Sequence, residues 1–174
     1  MENQNITNWL ETLTTNISKQ DVRWKISNDD IDFFNSCLLT LKEFNVTNVL
    51  DIACGAGNFV NICNKNGITA YGVDPQPNAN ENIFLGTFND IIINQDKLNG
   101  FVFDCISIHN TLHGKYHIQE ELTQLFKFLK MHAKYIIISH PPEIGNLLDG
   151  LDLLIDFDGS HGFKSVFHKL YKVL

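Results

Sequence analysis

Apolar positions along the chain change their period near residue 45. Before it, Ile6, Trp9, Leu10, Leu13 and Ile17 recur at the intervals that put side chains on one face of a helix. Ser27-Asn28-Asp29-Asp30 then reads as a helix start, because short polar side chains cap the open N–H groups of a first turn. Ile31, Phe33, Phe34, Leu38, Leu39 and Leu41 continue a helical stripe behind it. After Asn45 short β-branched runs take over. Val46 to Ile52, Ile68 to Val73, Ile83 to Phe88, Phe101 to Ile108 and Tyr135 to Ser139 are expected as strands. Phe59 to Asn66, ended by Gly67, and Gln119 to Met131, with Leu122, Leu125, Phe126 and Leu129 on one stripe, are expected as helices. Leu151 to Phe157, the turn at 158–162 and Phe163 to Leu174 read as a closing hairpin.

Strands alternating with helices predict an α/β fold: a Rossmann-like, open, mostly parallel sheet with helices on both faces. The C-terminal hairpin adds an antiparallel strand. No internal repeat or low-complexity linker interrupts the chain, so one domain is expected. Within it, residues 1–45 form an N-terminal helical segment and residues 46–174 the core.

Composition narrows the picture. With 174 residues and 44% apolar content, the chain can bury a proper core but has little to spare for a second domain. No apolar run approaches the ~20 residues of a membrane span, and the first residues lack the basic and apolar regions of a signal peptide. A cytoplasmic protein without a membrane partner is expected; the oligomeric state is left open. Cys37, Cys54, Cys63 and Cys105 form no C-x-x-C pair, which disfavours a zinc or redox motif, and Cys54 and Cys105, in apolar strand-like contexts, read as buried thiols. The net charge is -7 and Arg23 is the only arginine, which disfavours nucleic acid as a partner.

The stretch Val49-Leu50-Asp51-Ile52-Ala53-Cys54-Gly55-Ala56-Gly57-Asn58-Phe59 carries the most chemistry. An apolar run ends in an acid, small residues turn the chain, and a helical pattern follows. In open α/β sheets ligands sit beyond the carboxyl ends of the strands, where strand order reverses. Gly55 and Gly57 would let a ligand lie against bare backbone there. Asp51 can orient a water, a backbone turn or a ligand's ammonium. Taken alone, the loop also fits an empty strand-to-helix turn. Asp74 ends the next strand about twenty residues on, where an acid can accept both hydroxyls of a ribose. Together the two elements point to a nucleoside ligand.

The succession of that loop, Tyr71-Gly-Val-Asp-Pro and Phe103-Asp-Cys-Ile-Ser-Ile-His-Asn-Thr-Leu-His resembles class I S-adenosylmethionine (SAM)-dependent methyltransferases over about residues 46–174. The resemblance implies SAM as cofactor and S-adenosyl-L-homocysteine as product. It implies that Asp51, Ala53, Gly55 and Gly57 surround the methionine part and that Asp74 holds the ribose hydroxyls. Phe88, Asn89 and Asp90, at the end of the third strand, would flank the adenine, and His109 would line the pocket. The family's first loop glycine is Ala53 here, a mild departure because Ala is small. The short chain implies a small-molecule acceptor, or a group presented by a partner. In this family an N-terminal segment, here with Trp9, Trp24 and Phe33, often packs over the cofactor as a lid; plain helix packing explains the same residues.

Two other functions compete. A non-catalytic, degenerate methyltransferase serving as a partner subunit would share the fold, but has no need to keep Gly55, Gly57 and Asp74. An NAD-dependent oxidoreductase shares the glycine loop and ribose acid, but its G-x-G-x-x-G pattern meets Val60 at the third glycine. His109, His113 and His117 are spaced four and four apart, a possible metal set that Gly114 argues against as a regular helix; no metal is expected. His109 or His113 could instead serve as general base, since an imidazole titrates near neutrality. His140-Pro141-Pro142-Glu143 reads as a strand stop before a short helix, with His140 or Glu143 as candidate substrate contacts.

Overall fold

The computed structural model describes residues 2–13, 28–75, 81–109, 112, 119–140, 142–157 and 167–174. Helices α1 (Glu2–Glu11) and α2 (Asn28–Glu43) come first. They are followed by β1 (Asn48–Ile52), α3 (Asn58–Lys65), β2 (Thr69–Asp74), β3 (Ile83–Leu85) and α4 (Phe88–Asn94). A 3-10 turn at Gln95–Leu98 leads to β4 (Phe103–Ile108), α5 (Gln119–His132) and β5 (Ala133–His140). A second 3-10 turn (Pro142–Leu148) precedes β6 (Leu151–Phe157) and β7 (Phe167–Val173).

The seven strands form one sheet in the order β3-β2-β1-β4-β5-β7-β6. β1 to β5 run parallel, and β7 is antiparallel to both of its neighbours. The sequence therefore predicts the fold class and the closing hairpin correctly. Strand order reverses between β1 and β4, which places the switch point at the loop after β1.

Each face of the sheet carries its own core. On one face α1, α4 and α5 cover Leu50, Ile52, Ile106, Ile108, Ile136 and Ile138. On the other α2 and α3 cover Val49, Cys105, Ile137 and Leu170. This alternation along β1, β4 and β5 is the period of a strand buried on both sides. α3 ends as its sequence predicts: Gly67 takes φ +82°, its N–H bonds to Asn64 O, and Ile68 N–H bonds to Cys63 O. That double bond is a Schellman cap, whose left-handed position suits glycine.

The third strand differs from expectation. It stops at Leu85, and Phe88, Asn89 and Asp90 open α4 instead of ending a strand. Thr87 accepts a bond from Asp90 N–H while the Asp90 carboxylate accepts from Thr87 N–H, a reciprocal cap that starts the helix. Ile17, Trp24, Ser27 and residues 158–166 of the expected hairpin, including its turn, lie outside the described residues.

At the amino edge of the sheet one carboxylate ties three strands together. Asp104 Oδ2 accepts from Thr47 N–H (2.9 Å), Thr47 Oγ1 (2.6 Å) and Asn48 Nδ2 (3.1 Å). Its Oδ1 accepts from Lys134 Nζ on β5 at 2.6 Å. Burial opposes the charge, but Lys134 and the Thr47 donors outweigh it, and the Asp104 carboxyl lies below its ordinary range.

Trp9 anchors α1. Its ring stacks on Phe128 at 6.4 Å and tilts against Phe103 at 6.3 Å, and its Nε1 donates to Asn94 O at 3.0 Å. Trp9→Ala should cost roughly 3–5 kcal/mol, the range for emptying a buried aromatic site. Urea unfolding monitored by circular dichroism measures this, and an unchanged midpoint would show that α1 is not part of the cooperative core.

Candidate active site at the carboxyl edge of the sheet

The loop after β1 is built from alternating left-handed residues. Ala53, Gly55 and Gly57 have φ of +58°, +55° and +74°. Ala53 holds this conformation although a Cβ makes it costly by roughly 1–2 kcal/mol. Two bonds to one acceptor secure the turn, Ala53 N–H and Cys54 N–H both donating to Val73 O at 2.7 and 3.2 Å. A Cβ on Gly55 would meet nothing within 4 Å, so the backbone there faces open space. Gly57 is the N-cap of α3 and supplies no side-chain cap to the helix. An anionic ligand group is favoured at such a helix start.

Asp74 closes the loop from the side. It ends β2, is buried, and its Oδ2 accepts from Gly55 N–H at 2.8 Å. The acid expected to hold a ribose and the glycine expected to approach the ligand are thus joined directly. Gly72, two residues earlier, has a packing role that the sequence reading missed. A Cβ there would lie 2.5 Å from Cys54 Sγ and 3.1 Å from Val60 Cγ2, so only glycine lets Cys54 seat the loop on β2.

Asp51 lies beneath the loop, 2% exposed. It pairs in register with Gly72 on β2 and with Ser107 on β4. Ser107 Oγ donates to Asp51 Oδ1 at 2.7 Å. Ser107 was also missed; the signal was a hydroxyl inside a fully buried strand, which requires a partner. His109 follows β4 and places Nε2 3.9 Å from Asp51 Oδ1. Burial pushes the Asp51 carboxyl up to about 7; the Ser107 bond opposes this and the charge of Asp74 adds to it.

Of the residues expected in the site, Asp51, Ala53, Gly55, Gly57, Asp74 and His109 come together here. Phe88 is buried in the core and Asn89 is exposed at the start of α4, while Asp90 is engaged in its cap. Residues 113–118, including His113 and His117, lie outside the described residues. His140 ends β5, buried, with Nε2 3.2 Å from Tyr171 Oη. The side chain of Glu143 and all of Pro141 lie outside the described residues. Among the described residues no group of three or more His, Cys, Asp or Glu is placed to hold a metal ion. No helix among them is long and apolar enough to cross a membrane. The described thiols sit in the core or under the loop and are pushed up by burial, Cys63 to about 12, which keeps them inert.

A glycine loop at the switch point, an acid closing it from the next strand and a 3-2-1-4-5-7-6 sheet define a doubly wound α/β protein built to hold a nucleoside. The chain belongs to the class I SAM-dependent methyltransferases: a family model described as a methyltransferase domain matches residues 25–152. Among solved structures it is similar to magnesium protoporphyrin IX methyltransferase (ChlM) from Synechocystis PCC 6803 with bound SAM. That match has a TM-score of 0.65 and 14% identity, covering 97% of this chain and 91% of that one. The methyltransferase domain of bacterial CtHen1 matches with a TM-score of 0.63 and 14% identity, over 84% of this chain and 99% of its own. The N-methyltransferase NodS from Bradyrhizobium japonicum WM9 matches with a TM-score of 0.54 and 13% identity, over 83% and 96%. At these identities the likeness is one of fold. A comparison with curated proteins finds no significant match.

The burial of Asp51 has a thermodynamic consequence. An unfolded Asp loses its proton near ~4. With the folded value raised, the native state binds more protons between pH ~4 and ~7, so stability falls as pH rises through that window. Asp51→Asn removes the titration and keeps an acceptor for Ser107. The urea midpoints at pH 5 and pH 8 should lie closer together in this variant than in the wild type; equal separations would contradict a titrating, buried Asp51.

Proposed function

We propose that this protein binds SAM at the carboxyl edge of β1, β2 and β4 and transfers its methyl group to a small-molecule acceptor. The observation that carries this reading is the bond between Gly55 N–H and the Asp74 carboxylate, which joins a bare-backbone loop to a ribose-binding acid. The residues present fit the cofactor: open space over Gly55 for its chain, an uncapped helix start for its carboxylate, and an acid for its ribose.

When bound, SAM supplies a methyl group on a sulfonium, so the protein needs no nucleophile of its own. Its task is alignment. Asp74 would accept from the ribose hydroxyls, Gly55, Gly57 and the first turn of α3 would receive the methionine carboxylate, and Asp51 would meet its ammonium. Of Phe88 to Asp90 at the expected adenine end, Asn89 is the exposed side chain available to the base. The described parts of the N-terminal segment, Leu13 after α1 and the start of α2, flank this edge from two sides. Leu13, after α1, packs at Gly86, where a Cβ would lie 3.3 Å from Leu13 Cβ. Phe33 and Phe34 of α2 pack on His109. That enclosure favours His109 as a wall over a base and leaves His113 as the candidate base. The net charge of -7 supports an acceptor other than nucleic acid.

Calorimetry tests the reading. The wild-type protein should bind SAM in the micromolar range and should not bind NADH. Asp74→Asn keeps an acceptor for Gly55 but weakens the ribose contact, so SAM affinity should fall about tenfold, and Asp74→Ala should lose more. Unchanged affinity in both variants would place the ribose elsewhere. Tight NADH binding without SAM binding would replace the reading with a dinucleotide one.

A further inference from the structure

His109 is more tightly framed than a pocket wall requires. It is 9% exposed, and three rings meet it edge-on. Phe59 of α3 lies at 4.8 Å, Phe34 of α2 at 5.2 Å and Phe33 of α2 at 5.4 Å. The frame directs Nε2 toward Asp51 Oδ1 at 3.9 Å, the same oxygen that accepts from Ser107 at 2.7 Å. A carboxylate in an interior strand of the sheet is thus approached by a neutral donor and an imidazole, directly below the loop that faces the ligand.

Among the described residues, the titratable groups facing Asp51 are Asp74 from β2, Cys54 from the loop, Cys63 from α3, Cys37 from α2, Cys105 from β4 and His109 just after it. The thiols are kept neutral by burial and Asp74 is an acid. Of these groups only His109 can carry a positive charge and so favour an ionised Asp51.

We propose that His109 is a positioning residue that acts through Asp51, favouring the ionised carboxylate that meets the cationic methionine end of the donor, so that donor uptake releases the proton of the Asp51 carboxyl to solvent. No bond in the donor changes in this step. The inference rests on the SAM reading above. It assigns His109 to donor binding and not to deprotonation of the acceptor. Because two of the three framing rings belong to α2, the N-terminal segment is tied to the cofactor side through this imidazole.

The test is calorimetric titration of the full chain with SAM from pH 5.5 to 9, in buffers of differing ionisation enthalpy. In the wild type, affinity should tighten roughly fifteenfold between pH 5.5 and 7, with release of most of one proton near pH 6, as expected for a group titrating near neutrality. In Asp51→Asn both effects should vanish. In His109→Gln the affinity should fall about tenfold relative to wild type at pH 5.5, and this deficit should shrink with rising pH and disappear by pH 9. A flat wild-type profile without proton release overturns the inference. So does a His109→Gln deficit of the same size at every pH, which marks packing alone. Should His109→Gln fail to fold, the wild-type and Asp51→Asn titrations decide by the same criteria. A folded wild type that binds no SAM at any pH fails the donor reading itself, an outcome distinct from binding with a flat profile.

Discussion

The hydrogen bond from Ser107 to Asp51 holds together what the rest of this structure uses. It spans β1 and β4, the two strands between which the chain reverses its direction of growth across the sheet. A carboxyl group buried at 2% exposure is costly without a partner. The register that brings Ser107 opposite it is therefore constrained by more than hydrophobic pairing. The same register puts Gly72 on the other side, where a missing Cβ makes room for Cys54 and the turn above. Sheet pairing, loop shape and a polar floor under the site are three expressions of one alignment.

The turn above that floor shows how little side chain a nucleotide-type site requires. Three residues with positive φ, two bonds to Val73 O and one to Asp74 define it. Ala53 carries strain that glycine would avoid, and such strain persists only where surrounding bonds overdetermine the backbone. Here the overdetermination comes from β2. The acid at the end of that strand thus fixes the conformation of the loop, and in the proposed function the same carboxylate meets the ligand.

How much of this was legible from the chain depended on whether the information was local. The loop at 51–57 and Asp74 were readable because each sits at the end of an apolar run with turn residues after it. Gly67 was readable as a helix end for the same reason. α4 was not, because Ile91-Ile92-Ile93 has the composition of a strand and the Thr87–Asp90 cap that makes it a helix is only two side chains long. Ser107 was invisible as a partner of Asp51 because a register between strands 56 residues apart leaves no local pattern. Trp9 was readable as part of an apolar stripe, yet its burial between Phe103 and Phe128 was a tertiary fact.

The Asp104 cluster lies at the opposite end of the strands from the ligand loop. Thr47, Asn48 and Lys134 fasten β1, β4 and β5 there, with four bonds to one carboxylate. Groups so far apart and sharing no partner contribute to stability almost independently. Selection can therefore rewrite the loops at the carboxyl edge while the opposite rim keeps the strands in register. A scaffold divided in this way can drift toward new substrates without first having to be rebuilt.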